Sequence, residues 1–263
     1  MKPGRPVLPL GLVGMIGLVL LVESFVARRA VDFTPWGTWA WRVSGQAASR
    51  RAAGCEVLAF GDSLMKVGIL PPVIEDRLGK RAYNLSVCGA PAPTSYFLLR
   101  RALEAGARPT AVLVDYLPNM LAGGPRDFAR HWPELLTARE CLELSLTARD
   151  ATFFASTALG MIFPSVRARH DIRAGIVRAL HGEGSHLRQS TLDYWHNWSA
   201  NEGGQATSKN RHYTGDIDPA AQRKILSHVW WCDRVNAEHI RRFLSLAQAH
   251  RIQVYWLLPP VTT

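Results

Sequence analysis

Cysteine is scarce in this chain, and its four cysteines are too far apart in sequence to form a metal site of a familiar type. They are Cys55, Cys88, Cys141 and Cys232, and no two of them have metal-ligand spacing. Cys55 opens a predicted strand and Cys88 follows the next one, so both suit small buried hydrophobic positions. If this part of the chain lies outside the cytoplasm, a Cys55–Cys88 disulfide is the alternative. No metal and no cofactor are expected.

Acidic residues are also outnumbered by basic ones. There are 21 aspartates and glutamates against 31 lysines and arginines, which gives a formal net charge of +10. The arginines are scattered along predicted helices and do not form a basic stripe with interleaved aromatic residues, so nucleic acid is not expected as a partner. A basic surface of this kind favours contact with anionic lipid or anionic polymer.

Charge is missing altogether from Val7 to Val22, a run of leucine, valine, isoleucine and glycine with basic residues on both sides. Extended to Val26, the run approaches the length that a bilayer requires. We predict an uncleaved, single-pass membrane anchor over residues 1–30; a signal peptide and a buried core helix are the alternatives. Residues 31–53 then form a linker, whose tryptophans suit either a membrane interface or packing on the following domain.

The most informative motif is Phe60-Gly61-Asp62-Ser63-Leu64, which follows a short apolar run and precedes a predicted helix. A serine at a strand-to-helix turn is well placed to act as a nucleophile, because the helix N-terminus offers free N–H groups to a developing oxyanion. A turn with a helix cap is the structural alternative. The motif resembles the first sequence block of the SGNH, or GDSL, hydrolases, a family of esterases, lipases and acyl-group enzymes.

Two further blocks of that family have counterparts here. Gly89 follows a predicted strand over residues 81–87, and Asn119 follows another over residues 111–116. The family's usual Gly-x-Asn-Asp is absent, since Asp-Tyr-Leu-Pro-Asn replaces it. The resemblance implies an oxyanion hole made of the Ser63 N–H, the Gly89 N–H and the Asn119 side-chain amide, donors that stabilise charge in the transition state.

The fourth block, Asp-x-x-His, is not found after the last predicted strand, where the family carries its general base. The only match in spacing is Asp193-Tyr194-Trp195-His196, which precedes that strand and is a weak candidate for the dyad. A polar surface loop is the alternative interpretation. We therefore expect the chain to be incomplete at its C-terminus, and this polypeptide to hydrolyse esters poorly.

The order of predicted elements indicates an α/β fold. Alternating strands and helices argue for a parallel sheet covered on both faces, and the resemblance implies a three-layer, flavodoxin-like SGNH domain over residues 54–263 with a helical insertion at about 125–230. Within it, the polar stretch 182–228 is predicted to be a lid or a surface loop. His239 and His250 are predicted to be exposed helix residues.

Three functions remain open at this point. The first is a Ser63-dependent hydrolase of an acyl ester, which the resemblance extends to esters of a cell-envelope glycan. The second is an O-acyltransferase that passes the acyl group to a sugar hydroxyl of an envelope polysaccharide. The third is a non-catalytic, membrane-anchored binding module. In each case we expect a domain outside the cytoplasm, held to the membrane by its N-terminal helix.

Overall fold

A four-stranded parallel sheet forms the centre of the molecule in the computed structural model, which describes residues 10–182, 187–207 and 231–257. The strands are β1 (Val57–Gly61), β2 (Ala82–Asn84), β3 (Ala111–Asp115) and β4 (Gln253–Trp256). Their spatial order is β2-β1-β3-β4, and every neighbouring pair is parallel. The predicted α/β class with a parallel sheet is therefore confirmed.

Helices account for most of the remaining described chain. The first seven are α1 (Leu10–Arg28), α2 (Ala30–Phe33), α3 (Trp36–Arg50), α4 (Ser63–Gly68), α5 (Pro71–Leu78), α6 (Ala92–Glu104) and α7 (Pro118–Ala122). After a short 3-10 turn at Pro125–Phe128 come α8 (Trp132–Leu135), α9 (Ala138–Ala148), α10 (Ala151–Ile162), α11 (Pro164–Leu180), α12 (Leu187–Ala200) and α13 (Arg234–Ala249).

Strand β1 lies in the interior because it carries no charge and all five of its residues are buried. A strand that is apolar on both faces needs cover on both sides, as parallel sheets require. Helix α6 supplies part of that cover by burying Phe97, Leu98 and Leu99, while Arg100 on its outer side forms ion pairs. Helices α3 and α13 pack against α6 in turn. Helix α6 is thus amphipathic, with its apolar side in the core.

The tryptophan-rich segment packs on the domain. Residues 36–50, which the sequence assigned to a linker, form α3, and its buried side belongs to the main core. Trp41 is completely buried, stacked on His131 and edge-on to Trp132. Of the two interpretations offered for these tryptophans, packing on the domain therefore holds for Trp41.

Helix α1 is apolar and almost entirely exposed. Among the described residues it is the one helix long and apolar enough to cross a membrane, and only Val26 of its 19 residues is buried. The sequence-based prediction of an apolar helix ending near Val26 is therefore confirmed as far as length and composition go.

The inserted segment is mostly helical in its described part. Its helices join the body through the buried carboxylate of Glu134, which accepts from Arg42 Nη2 at 2.9 Å and pairs with Arg167 Nε at 2.8 Å. A buried charge needs such partners, so this triad fixes α8 against α3 and α11. The prediction of a polar loop over residues 182–228 is wrong for Leu187–Ala200, which forms α12; residues 183–186 and 208–228 lie outside the described part.

Candidate functional site

The carboxyl edge of the sheet gathers the residues that the sequence singled out. Ser63 is the first residue of α4, immediately after β1 and its Asp62 cap. Gly89 lies in the turn after β2 with φ of 68°, and Asn119 is the second residue of α7, after β3. Because β1 lies between β2 and β3 and neighbouring strands are about 4.8 Å apart, the three residues lie near one edge. Ser63 and Gly89 are half-buried, and Asn119 is exposed.

Gly61 allows β1 to end against β3. Its φ is 141°, and a Cβ built on it would lie 2.1 Å from the carbonyl oxygen of Asp115. No side chain fits at that distance, so glycine is required by both conformation and space. The close approach sets the direction in which the chain enters the Asp62–Ser63 turn.

Asp62 joins the turns that follow β1 and β3. Its carboxylate is buried, accepts from the Leu64 N–H at 2.9 Å as the cap of α4, and also accepts from the Leu117 N–H. Burial raises the pKa of Asp62, and the two backbone N–H groups oppose that rise. The cap therefore fixes the start of α4, with Ser63, relative to the segment that leads to Asn119.

Asp115 is a second buried carboxyl group at the same edge. Burial and, secondarily, the nearby charge of Asp62 raise its pKa to about 6. Its Oδ1 is buried and has no hydrogen-bond partner among the described residues. The negative charge of one carboxylate disfavours ionisation of a second one nearby. A metal is not indicated, since the described ranges hold no group of three or more histidine, cysteine or acidic side chains able to bind one.

Two buried amides complete the framework of this edge, and both escaped the sequence reasoning. The Asn84 side chain donates to the carbonyls of Met65 at 2.9 Å and Ile69 at 2.8 Å, which holds the end of α4 against β2. The Asn236 side chain accepts from the Ala92 N–H at 3.1 Å and donates to the Leu121 carbonyl at 2.8 Å. It therefore joins the start of α6 to the end of α7. Such partners are distant in sequence, so no local pattern announces them.

Lys66 is a buried basic residue at this edge that the sequence analysis missed. It is fully buried, and its ammonium group donates to the Gly203 carbonyl at 2.8 Å. Burial lowers its pKa to about 7, and the nearby Cys88 thiol opposes that change. The Gln205 N–H donates in turn to the Lys66 carbonyl at 2.9 Å. The sequence did indicate that Lys66 lies on the same face of the helix as Ser63, because it is three residues later and positions three apart share one face.

The segment after α12 is fixed to the same edge. The Asn84 N–H donates to the Glu202 carbonyl at 2.9 Å. Gly203 has φ of 88°, and a Cβ there would lie 2.1 Å from the Asn84 carbonyl oxygen. Helix α12 therefore ends in a turn that only glycine permits, and this turn closes against β2 and α4.

The Asp193–His196 pair lies on α12 itself. Both side chains are on the exposed face, and Asp193 accepts from Gln189 Nε2 at 2.7 Å. The opposite face buries Tyr194 and Trp198. Among the described residues, no hydrogen bond joins this pair to Ser63.

Of the two remaining predictions for histidines, one is confirmed and the other is wrong. His250 is exposed as predicted, whereas the prediction for His239 is wrong. His239 is completely buried against the rings of Tyr96 and Phe97, with its Nδ1 at 2.8 Å from the Val235 carbonyl. Burial lowers its pKa to about 4, so the ring is neutral and serves as packing between α6 and α13.

All four cysteines are free thiols, which favours the buried-hydrophobe interpretation of Cys55 over the disulfide. Burial raises the pKa of the Cys55 and Cys88 thiols.

Comparison with known proteins finds no matching family model, no matching curated protein and no matching solved structure. The geometry of the carboxyl edge of the sheet is therefore the basis for the function proposed below.

Proposed function

We propose that this protein is a membrane-anchored ester hydrolase of the SGNH type, with Ser63 as its nucleophile. The observation that carries the proposal is the position of Ser63 at the N-terminus of α4, directly after the interior strand β1. In open α/β sheets, ligands bind at the carboxyl ends of the strands. The order β2-β1-β3-β4 equals the first four positions of the flavodoxin-like order, which supports this fold type.

In the proposed reaction, the Ser63 hydroxyl attacks the ester carbonyl and an acyl-enzyme forms as the alcohol leaves. Water then attacks the acyl-enzyme, releases the acid and restores the serine. The N–H groups of Ser63 and Gly89 and the amide of Asn119 donate to the oxyanion. Each such donor is worth roughly 3 kcal/mol in the transition state. A cell-envelope glycan ester is the proposed substrate class.

The proposed reaction also needs a general base. A serine hydroxyl needs a base within about 3 Å. Asp193 and His196 have the spacing of the dyad, but they lie on the exposed face of α12. The Lys66 amine is already bonded to the Gly203 carbonyl, so we do not assign it this role. His196 is kept as the candidate to be tested.

The test is labelling by a fluorophosphonate probe together with hydrolysis of short p-nitrophenyl esters. We expect the parent chain to give weak labelling and slow ester hydrolysis, Ser63→Ala to abolish both signals, and Ser190→Ala, at an exposed serine on α12, to leave them unchanged. Loss of activity in His196→Ala as well would identify the dyad. Labelling that survives in Ser63→Ala, or a parent chain that gives neither signal, contradicts the hydrolase and favours the binding module. Acyl transfer to an added glycan acceptor would identify the transferase.

Helix α1 is the proposed anchor, with the remaining domain on the extracytoplasmic side. Its length and composition support a membrane span. We expect the full chain to stay in the pellet after carbonate extraction of membranes. Release of full-length protein into the soluble fraction contradicts the anchor, and protease digestion of sealed membranes reports which side the domain occupies.

A further inference from the structure

Helix α10 has an outer face that is unusual for a helix in contact with water. No charged side chain occurs from Ala151 to Phe163. Phe154, Leu159 and Ile162 are 37%, 50% and 67% exposed, whereas a helix at a water-facing surface normally carries charged residues there. With 12 residues, α10 rises only about 18 Å, which is too short to cross a bilayer.

The C-terminal end of α10 lies next to the proposed anchor. Helix α11 begins at Pro164, directly after α10, and packs against α1. The Ser165 N–H donates to the Glu23 carboxylate of α1 at 2.9 Å, and the Ser165 hydroxyl donates to the same carboxylate. The corner between α10 and α11 is therefore fixed beside Glu23.

The position of Glu23 sets the level of this corner relative to a bilayer. Thirteen uncharged residues of α1, Leu10 to Val22, precede Glu23, and this part of the helix rises about 20 Å. The hydrocarbon core is about 30 Å thick, so a spanning α1 with Leu10 at one boundary places Glu23 within about 10 Å of the other. The carboxylate is stabilised there by the two Ser165 donors at the N-terminus of α11.

Basic side chains lie close to the same level. Arg28 and Arg29 follow at the end of α1, and Arg169 and Arg173 lie on α11; all four are exposed. An apolar surface with adjacent cations suits the boundary between anionic headgroups and acyl chains.

We propose that α10 lies along the surface of the bilayer beside α1, with Phe154, Leu159 and Ile162 in contact with lipid. The proposal rests on the membrane anchor proposed above. The partner is the lipid bilayer itself, because the Glu23–Ser165 contact holds the end of α10 beside α1, whose apolar side chains are almost all exposed. The domain is thereby held by two elements, and its orientation relative to the membrane is fixed.

The experiment compares apolar positions of equal exposure on α10 and on α9. Leu142 and Leu146 of α9 are 48% and 68% exposed, so Leu142→Cys and Leu146→Cys match Leu159→Cys and Ile162→Cys. Each variant of the full chain, made with its half-buried native cysteines replaced by serine, is labelled with a nitrobenzoxadiazole fluorophore. It is then inserted into vesicles of phosphatidylcholine and phosphatidylglycerol.

We expect the α10 labels to be quenched several-fold more by spin-labelled lipid than the α9 labels, and less by aqueous iodide. Equal quenching of both sets overturns the proposal. Shielding of the α10 labels from both quenchers also overturns it and indicates a protein partner, including a second copy. Carbonate extraction of the same samples separates the causes: released protein means that the anchor itself fails, whereas retained protein with equal quenching contradicts only the role of α10.

Discussion

Replacing the buried Lys66 by methionine should change how the stability of the protein depends on pH. The Lys66→Met variant keeps the length and flexibility of the side chain and removes the amine. In the parent chain the amine is completely buried and donates to the Gly203 carbonyl at 2.8 Å. Cys88 lies near the amine and is retained in the variant, where its thiol loses the Lys66 charge that lowers its pKa.

The sign and size follow from the two pKa values of the amine. The pKa is lowered from 10.5 to about 7 in the folded protein, chiefly by burial. Between these two pH values the unfolded chain binds one more proton than the folded chain, so the free energy of unfolding of the parent rises with pH. The full difference corresponds to about 5 kcal/mol. The variant lacks this dependence and loses one hydrogen bond worth about 1 kcal/mol.

We therefore expect Lys66→Met to be more stable than the parent near pH 7 and below, with an advantage that shrinks by about 5 kcal/mol toward pH 10.5. Urea unfolding of the full chains in detergent, followed by tryptophan fluorescence, measures this between about pH 6 and about pH 10. Lys80→Met is the control: Lys80 pairs with Glu56 at 3.1 Å and both are about 45% exposed, so its effect should stay below about 1 kcal/mol. A stability difference between Lys66→Met and the parent that is constant with pH refutes the reasoning.

Three further changes test the edge of the sheet. Gly61→Ala should destabilise the protein by on the order of 4 kcal/mol, because its Cβ would lie 2.1 Å from the Asp115 carbonyl oxygen; Gly68→Ala, with open space around it, should be neutral in the same urea titration. Gly203→Ala should detach the turn after α12 from Asn84, measured as faster amide hydrogen exchange at residues 201–207. The raised pKa of Asp115, about 6, means that its stabilising contribution falls as pH rises from about 4 to about 6. Asp115→Asn should remove that fall in the unfolding midpoint, and an unchanged pH profile would show that Asp115 titrates normally.

The sheet was predictable because its strands are marked locally. Each inner strand is a short apolar run that ends in a turn residue, and Pro71 and Gly79 mark the two ends of α5 as expected for these residue types. Helix α12 was missed because its polar serines and asparagine, together with the glycines that precede and follow it in the sequence, suggest a loop. Its fold is instead decided by long-range packing, including the stack of Tyr194 on Trp36.

In the candidate site, too, only the residues that a local pattern marks could be located from the sequence. The position of Ser63 followed from its own turn, and no distant contact was needed to locate it. Lys66 and His239 could not be placed, because the sequence shows their type and helical position but not whether another segment covers them. The close approach of Gly203 to Asn84 joins residues more than a hundred positions apart, and a single sequence contains no record of such a pairing.

The carboxyl edge owes its geometry to buried polar side chains that each bind the backbone of separate segments. Asp62 joins the turns after β1 and β3, Asn84 joins α4 to β2, and Asn236 joins α6 to α7. Removing any one leaves buried N–H or carbonyl groups without partners, at a cost of about 1–3 kcal/mol each. Such a framework holds the backbone around Ser63 in one arrangement, as an oxyanion hole requires. A rigid edge also suits a binding module, so the decisive variable between the two functions is whether a base reaches the Ser63 hydroxyl.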